Sequence, residues 1–588
     1  MKRVDISITL PVRVPVLCAG LGQPAFGVDA GFIRNEQGRP IIPRDHLKGL
    51  LRDALETLAA KSAVGLTQEL IDDWLGQPTD GKGEPRSGRV ILDDLEWGGN
   101  GGDASAPHYP RVSINEETGA AGEGMLAFFE QIALPGQELA FTGRLVAFIE
   151  DGEETLLRDA LQKALKLIPA VGAMKSAGFG EVVRENVQVE VKSKQSCPQS
   201  DHSLPEGDSL TFDITFDRPV LFDAVHKAEN LFVGSPVIPG SVIKGALAWL
   251  LQKAGENPAE NEALSGMLVS HAFPLNADGE RELEQPAPLC MASYRAGEDY
   301  TFRCHLGIPD DDLLLGGQPP FYRPDWKSKA FAQAREKLGY PPHETLRPLQ
   351  RTRVAIEYDE GTARDEALFT EVALSERING GDEKRLWRFT VHRNGADAEE
   401  FRRLAGIIRN GLWNMGRTNA AMQVEDVAAS AAGFACPSFD GEKDTIALML
   451  LTPAVMTDAH ALGQSGQWER EAREAYQEYW QGVLGGGVEL VDFMAAQRWA
   501  GHYQGVRFRP YSPNYYPFML TEPGSVFLLK GKDLAARLQE ALPTGHLPHA
   551  PLNGKAPGWR ISPFVPENGY GRVRCITRAM MEGGWGDA

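Results

Sequence analysis

DISITLPVRVPVLCA (Asp5–Ala19), TFDITFDRPVLFDA (Thr211–Ala224) and TIALMLLTPAVMTDA (Thr445–Ala459) are three versions of one phrase. Each is a strand with apolar residues at period two that runs into a proline and then a second apolar stretch. A phrase that returns twice in 588 residues decides the architecture before any single residue is read. It predicts tandem copies of one α+β unit, in a chain too long for a single core. Composition changes before the second and third copies, at KSKQSCPQSDHSLPEGD (192–208) and AASAAGFACPSFDGEKD (428–444). The expected units are therefore 1–191, 209–435 and 442–588, with 192–208 as a linker.

The first two copies continue in parallel. IIPRDHLKGLLRDALETL (Ile41–Leu58) matches VIPGSVIKGALAWLLQ (Val237–Gln252) across a proline, a helix start and a Lys-Gly pair. Leu47, Leu51, Ala54, Leu55 and Leu58 share one helical face, as do Ile243, Leu247, Leu250 and Leu251. Asp45 and Ser241 fall at the N-cap positions. Lys48 and Lys244 lie in the first turn, where dipole, free N–H groups and a cation together attract phosphate. Arg44, His46 and Arg52 accompany Lys48.

A second shared element follows. RVSINEETGAAGEGMLAFFEQI (Arg111–Ile132) resembles RVAIEYDEGTARDEALFTEVA (Arg353–Ala373). Each reads as a β-hairpin with a long tip and a basic start, supplied by Arg111 in one and by Arg351 and Arg353 in the other. Each copy then closes on glycines: GAMKSAGFGEV (172–182), NMGRTNAAMQV (414–424) and NGYGRVRC (568–575). Glycine lets backbone approach a phosphodiester, a basic side chain neutralises it, and an aromatic ring can stack on a base. The candidates are Lys175, Ser176, Gly178, Arg417, Tyr570 and Arg572.

Other function classes find little support. Cys18, Cys197, Cys290, Cys304, Cys436 and Cys575 are far apart in sequence, without a C-x-x-C pair, and read as reduced thiols. The histidines form no metal-ligand motif, and the carboxylates form no glycosidase-like pair. No apolar run reaches the ~20 residues of a membrane helix. The start, MKRVDISITLPVRV, has no signal-peptide core, so a cytoplasmic protein is expected. The net charge of −20 opposes nucleic-acid binding unless cations are concentrated in a groove.

In this order, strand, I-P-x-x-x-L-K-G helix, T-G-x-A hairpin and glycine-rich loop resemble the RAMP superfamily of CRISPR-associated proteins. Residues 1–190 are similar to the backbone subunit of type III effectors, most clearly at GVDAGFIRNEQGRPIIPRDHLKGLLR (Gly27–Arg52) and SGRVILDD (Ser87–Asp94). Residues 206–588 resemble the two-lobed RAMP subunit of type III-D systems. The resemblance implies ferredoxin-like (RRM-type) domains that bind crRNA. It also implies a hairpin thumb against the guide–target duplex. The implied partners are target RNA, other RAMP backbone subunits, a large polymerase-like subunit and a small subunit. It further implies metal-dependent cleavage of target RNA, with Asp29 as the catalytic and Mg²⁺-associated carboxylate. A non-catalytic scaffold capping the guide 5′ handle is the alternative. Three departures stand out: Arg44-Asp45 replaces the usual Gly-Ser, Val225 holds the spacing of Asp29 in the second copy, and the third copy lacks the Lys-Gly helix. The insertion at 307–344 has no counterpart.

Overall fold

The computed structural model describes all residues except 21–26, 62–64, 78–85, 100–107, 115–116, 202, 223–224, 229, 284, 297–298, 309–345, 357–362, 431–434, 442–443, 459–467, 502–516, 553–554 and 584–588. The insertion, from residue 309 onward, thus lies outside the described residues, as does Asp223.

Alternation in the opening strand, Lys2–Arg13, points Val4, Ile6, Ile8 and Leu10 to one side, where all four are buried. Burying one such side chain contributes about 1.5–3 kcal/mol. The strand runs antiparallel between Glu138–Ile149 and Gln188–Ser196, and Val90–Leu92 and Leu95–Trp97 pair with the outer edge of Glu138–Ile149. Helices Arg44–Ala60 and Glu153–Leu167 cover the apolar face through Leu47, Leu51, Ala54, Leu55, Leu157, Leu161 and Leu165. This is a ferredoxin-like unit, with its first strand central and two helices on one face.

The pattern returns twice. In the second sheet, Ser209–Phe216 lies between Trp387–His392 and Ala420–Ala429, and the short strands Leu268–Val269 and Phe273–Pro274 pair beyond Trp387–His392. Helices Gly240–Lys253 and Ala398–Arg409 cover its apolar side. In the third, Thr445–Leu450 lies between Val526–Lys530 and Val573–Ile576, with Glu489–Met494 outermost. Helices Trp468–Leu484 and Leu534–Ala541 complete it. The predicted α+β architecture of tandem ferredoxin-like domains is the one observed.

The units are joined through their sheets' second faces. Ile91, Val146 and Phe148 turn away from the first core and enter the second, where Phe148 meets Trp249 and Trp413 edge-on at 5.2 and 5.5 Å. The second face of the third sheet is closed by a ribbon, Met291–Ala296 with Asp299–Cys304, through Cys290, Cys304 and Leu306. A solvent-facing aromatic sheet, the platform RRM domains offer to bases, is therefore not available on these two faces. Among the described residues no helix is long and apolar enough to cross a membrane.

Candidate nucleic-acid interface

Both Ile-Pro helices start on proline: Pro43 and Pro239 are the N-cap residues, with φ of −60° each and no side-chain cap. Asp45 and Ser241, expected at the caps, sit two residues further in, within the first turn. In the first unit the orphan N–H of Arg44 donates to Asp94 Oδ1 at 2.8 Å. The other oxygen of Asp94 accepts from Arg351 of the second unit at 2.8 Å, and Asp45 pairs with Arg353 at 3.0 Å. Burial works against the Asp94 charge, but Arg351 and Arg44 more than offset it and hold the carboxyl below its usual range. Arg218 reaches across to the Leu92 carbonyl and Asp93, and Arg417 pairs with the buried Glu371, which also receives Arg353. Arg417 also lies over the Phe232 ring at 3.9 Å.

The helix start of the second unit is likewise occupied. Lys244 is buried, and its ammonium donates to the carbonyls of Ser265, Met267 and Glu567 at 3.1, 3.0 and 3.4 Å. Burial pulls this lysine down to about 8. Glu567 belongs to the third unit, whose NGYG loop packs here. A Cβ on Gly569 would lie 2.5 Å from His271 Nδ1, and φ there is +87°. Tyr570 is buried edge-on to His271 and Phe564, and Arg572 is paired with Glu282 at 3.2 Å. Lys244, Tyr570, Arg572, Arg351 and Arg353, expected to face RNA, are thus engaged in contacts between units. Ser241 is half-buried in the same helix turn.

Arg52 and His46 are also engaged within the protein. Arg52 donates to Asp72 at 2.8 Å and to the Gly76 carbonyl. His46 Nε2 accepts the Gly172 N–H at 2.9 Å, and burial with Lys175 nearby lowers its pKa to about 4, so the ring is neutral. That bond ties the first helix to the first glycine-rich loop. Arg44 is mostly buried beside Asp45 and Asp94.

One loop remains open. Gly172 and Gly180, with φ of +83° and +71°, let it pack, since a Cβ would come within 2.3 Å of the Leu17 carbonyl and 1.9 Å of the Val171 carbonyl. Between them Lys175, Ser176 and Gly178 are exposed, and no atom would meet a Cβ on Gly178. Among the described residues neither Lys175 nor Lys48 has a carboxylate partner; burial and Arg52 lower the Lys48 pKa. The first hairpin, Tyr109–Ile114 with Ala121–Phe129, stands on this loop. Tyr109 packs edge-on to Phe179 at 5.2 Å, and exposed Arg111 donates to Met174 Sδ at 3.2 Å.

Asp29 borders the same surface. It is exposed; its N–H donates to the Phe128 carbonyl at 2.8 Å, and its Oδ2 accepts the Phe128 N–H at 2.7 Å. Phe128 lies opposite Pro110, the neighbour of Arg111. Strand register corrects the sequence alignment here. Ala30 bridges Phe129 in parallel, and in the second unit Phe232 pairs in parallel with Glu371. Aligning the hairpins on Val112–Leu126 and Val354–Leu368 makes Leu231, not Val225, the counterpart of Asp29. Among the described residues no group of three or more His, Cys, Asp and Glu could hold a metal. A cation here would need RNA oxygens beside Asp29, the arrangement Mg²⁺ favours on phosphates.

Residues 11–183 match the model of the RAMP superfamily. The first unit is therefore similar to a RAMP domain. No curated protein matches the chain. A solved structure described as the cryo-EM structure of the type III-B Cmr-beta bound to cognate target RNA and AMPPnP, state 1, is similar to it. Identity is 14%, over 54% of this chain and 86% of that one, with a TM-score of 0.27. Within the first unit the exposed loop, hairpin base and Asp29 border one another, while the helix start faces the second unit. Asp94 and Glu282 escaped sequence reasoning because a carboxylate partner across units leaves no local pattern. Asp94 does end the SGRVILDD stretch.

Proposed function

We propose that the chain is a crRNA-binding subunit of a type III, III-D-like CRISPR effector complex, with its RAMP domain holding RNA on the surface formed by Lys175, Ser176, Gly178 and Arg111. The observation that carries this reading is the contrast among the three glycine-rich loops. The third is packed into the second unit and the second has its Arg417 paired with Glu371, whereas the first is exposed and carries Lys175, which has no carboxylate partner among the described residues. Exposed backbone in left-handed geometry, a hydroxyl and a lysine with no carboxylate partner among the described residues suit a phosphodiester. They read no base, so binding is independent of guide sequence. Target RNA and the other effector subunits are the partners this role requires.

Asp29 adds target-RNA cleavage to this proposal. RNA supplies its own nucleophile in the 2′-hydroxyl, and a carboxylate beside a kinked backbone can orient it or help hold Mg²⁺. The second unit, with Leu231 there, binds without cutting.

RNA affinity measured against salt tests the binding role. Lys175→Ala should weaken binding and lower the log–log slope by about 0.7–0.9. Lys244→Met should leave that slope unchanged and lower the melting temperature, because three carbonyls lose their donor. A Lys175→Ala protein with parental slope and affinity would remove the basis for the proposal.

A further inference from the structure

Three sulfurs meet beneath the ribbon that closes the second face of the third sheet. Cys290 stands just before the ribbon's first strand and Cys304 ends its second, with their sulfurs 3.7 Å apart. Met581, on the helix Arg578–Gly583, brings its thioether sulfur to 3.6 Å from the Cys290 sulfur. All three side chains are fully buried, in one apolar cluster with Leu306 and Phe439. Cys290 is the shared vertex of both contacts. The ribbon and a helix far along the chain thus aim their sulfur atoms at one place.

We propose that Cys290, Cys304 and Met581 form a binding site for a soft monovalent cation of the copper(I) class. The donor set selects the ion. Two thiolates and a thioether are polarisable ligands that suit Cu(I), whereas Mg²⁺ and Ca²⁺ seek oxygen. Zinc takes four donors from cysteine, histidine or carboxylate, and among the described residues no third such group joins the two thiols. The spacing agrees. Two sulfurs about 2.3 Å from a common ion and about 120° apart are separated by about 4 Å. The contacts of 3.6 and 3.7 Å need to open by only a few tenths of an ångström.

Protons and charge balance without a redox step. In the free protein, burial and the neighbouring Cys304 keep the Cys290 thiol protonated. Cu(I) takes the place of the two S–H protons, which leave to solvent, and its oxidation state is unchanged. Two thiolates with one Cu⁺ leave a single net negative charge. The guanidinium of Arg578 opposes it from the helix that carries Met581, donating to the Cys304 and Leu306 carbonyls at 3.2 and 2.9 Å and favouring the Cys290 thiolate. That helix is six residues long, so its local opening gives the ion a route in at far lower cost than opening the sheet. Bound Cu(I) would tie the helix to the ribbon and fix the cover of the third sheet.

The test uses the full-length chain, kept reduced under argon and titrated with Cu(I) held as its coloured bicinchoninate complex. One equivalent should pass to the protein, read as loss of that colour, and the loaded chain should melt at a higher temperature than the free one. X-ray absorption at the copper edge should show three sulfur neighbours. Cys290→Ser and Cys304→Ser should each abolish the transfer, and Cys575→Ser should leave it at the parental level. Met581→Leu nearly conserves core volume, so it should fold as the parent does. It should keep two sulfurs at copper and hold the ion at least about tenfold less tightly, the loss that follows even changes outside a metal's ligands. No transfer, transfer that survives in both serine variants, or parental coordination in the leucine variant would each overturn the proposal and leave the three sulfurs as core packing only.

Discussion

At the scale of single residues, Asp29 has two separable duties. Its Oδ2 holds the Phe128 N–H at the base of the hairpin, and its charge borders the open surface proposed to hold RNA. Asparagine retains an acceptor oxygen and lacks the charge, whereas alanine lacks both. Asp29→Asn should therefore keep RNA affinity and reduce target cleavage in the assembled complex by about a hundredfold or more, the size of a lost acid–base or metal-positioning group. Asp29→Ala should show the same catalytic loss plus a less firmly seated hairpin, at a cost of roughly 1–3 kcal/mol for the unmet N–H. Hydrogen exchange at Phe128 and quantified cleavage of labelled target in Mg²⁺ separate the two. Parental cleavage by the Asn variant would make Asp29 a hairpin support alone.

At the scale of elements, the two hairpins share a plan and differ in surroundings. Both carry a Val–Leu cross-strand pair with exposed side chains: Val112 with Leu126, and Val354 with Leu368. The second is anchored at its base by Arg351 and Arg353 to the first unit's helix, and the first stands free above the glycine-rich loop. Removing the tip Thr118–Glu123 should leave the fold and guide binding near parental levels, since an exposed tip adds little to a core. It should change the position or efficiency of target cutting, read by mapping the cleavage products. The anchor behaves differently. Asp94→Ala leaves Arg351 and Arg44 facing each other and removes the helix cap, so a loss of about 3–5 kcal/mol is expected. Urea unfolding measures it, and a change under 1 kcal/mol would show the network to be solvent-relaxed.

At the scale of the whole molecule, the joints determine the response to pH. Burial lowers His46, His392 and His549 to about 4, and His271 and His546 to about 3. Four of these flank the contact of the second and third units, where the His392 and His546 rings lie 6.4 Å apart. An unfolded histidine takes its proton near 6.5, and these folded ones take it only near 3 to 4. The unfolded chain therefore binds more protons within that window. Stability should be complete above about pH 6.5 and fall as pH drops towards 4, by a ceiling of roughly 3 kcal/mol per group. Melts from pH 7.5 to 4.5 check the slope. Hydrogen exchange at pH 5 should show the third unit's NGYG loop opening before the first unit's strands.

Much of this was legible in sequence because it is periodic. Alternation in Lys2–Arg13, Ser209–Phe216 and Thr445–Leu450, with the 3.6-residue pattern of Leu47, Leu51 and Leu55, determines the strands, the helices and their repetition. Local backbone physics needs no distant partner, and the same is true of the glycines that open the Lys175 loop. The fate of equivalent cations was decided only by tertiary structure. Lys48 and Lys244 hold the same place in the same motif, yet the Lys244 ammonium is enclosed by carbonyls while Lys48 has no carboxylate ion pair among the described residues. Asp45, which looked like an obstacle to phosphate, became the partner of Arg353. Register made Leu231 the counterpart of Asp29. A sequence fixes which groups can interact through spacing along the chain, but which neighbour each one meets depends on how the units pack, and that packing is set by burial of whole faces rather than by any local signal.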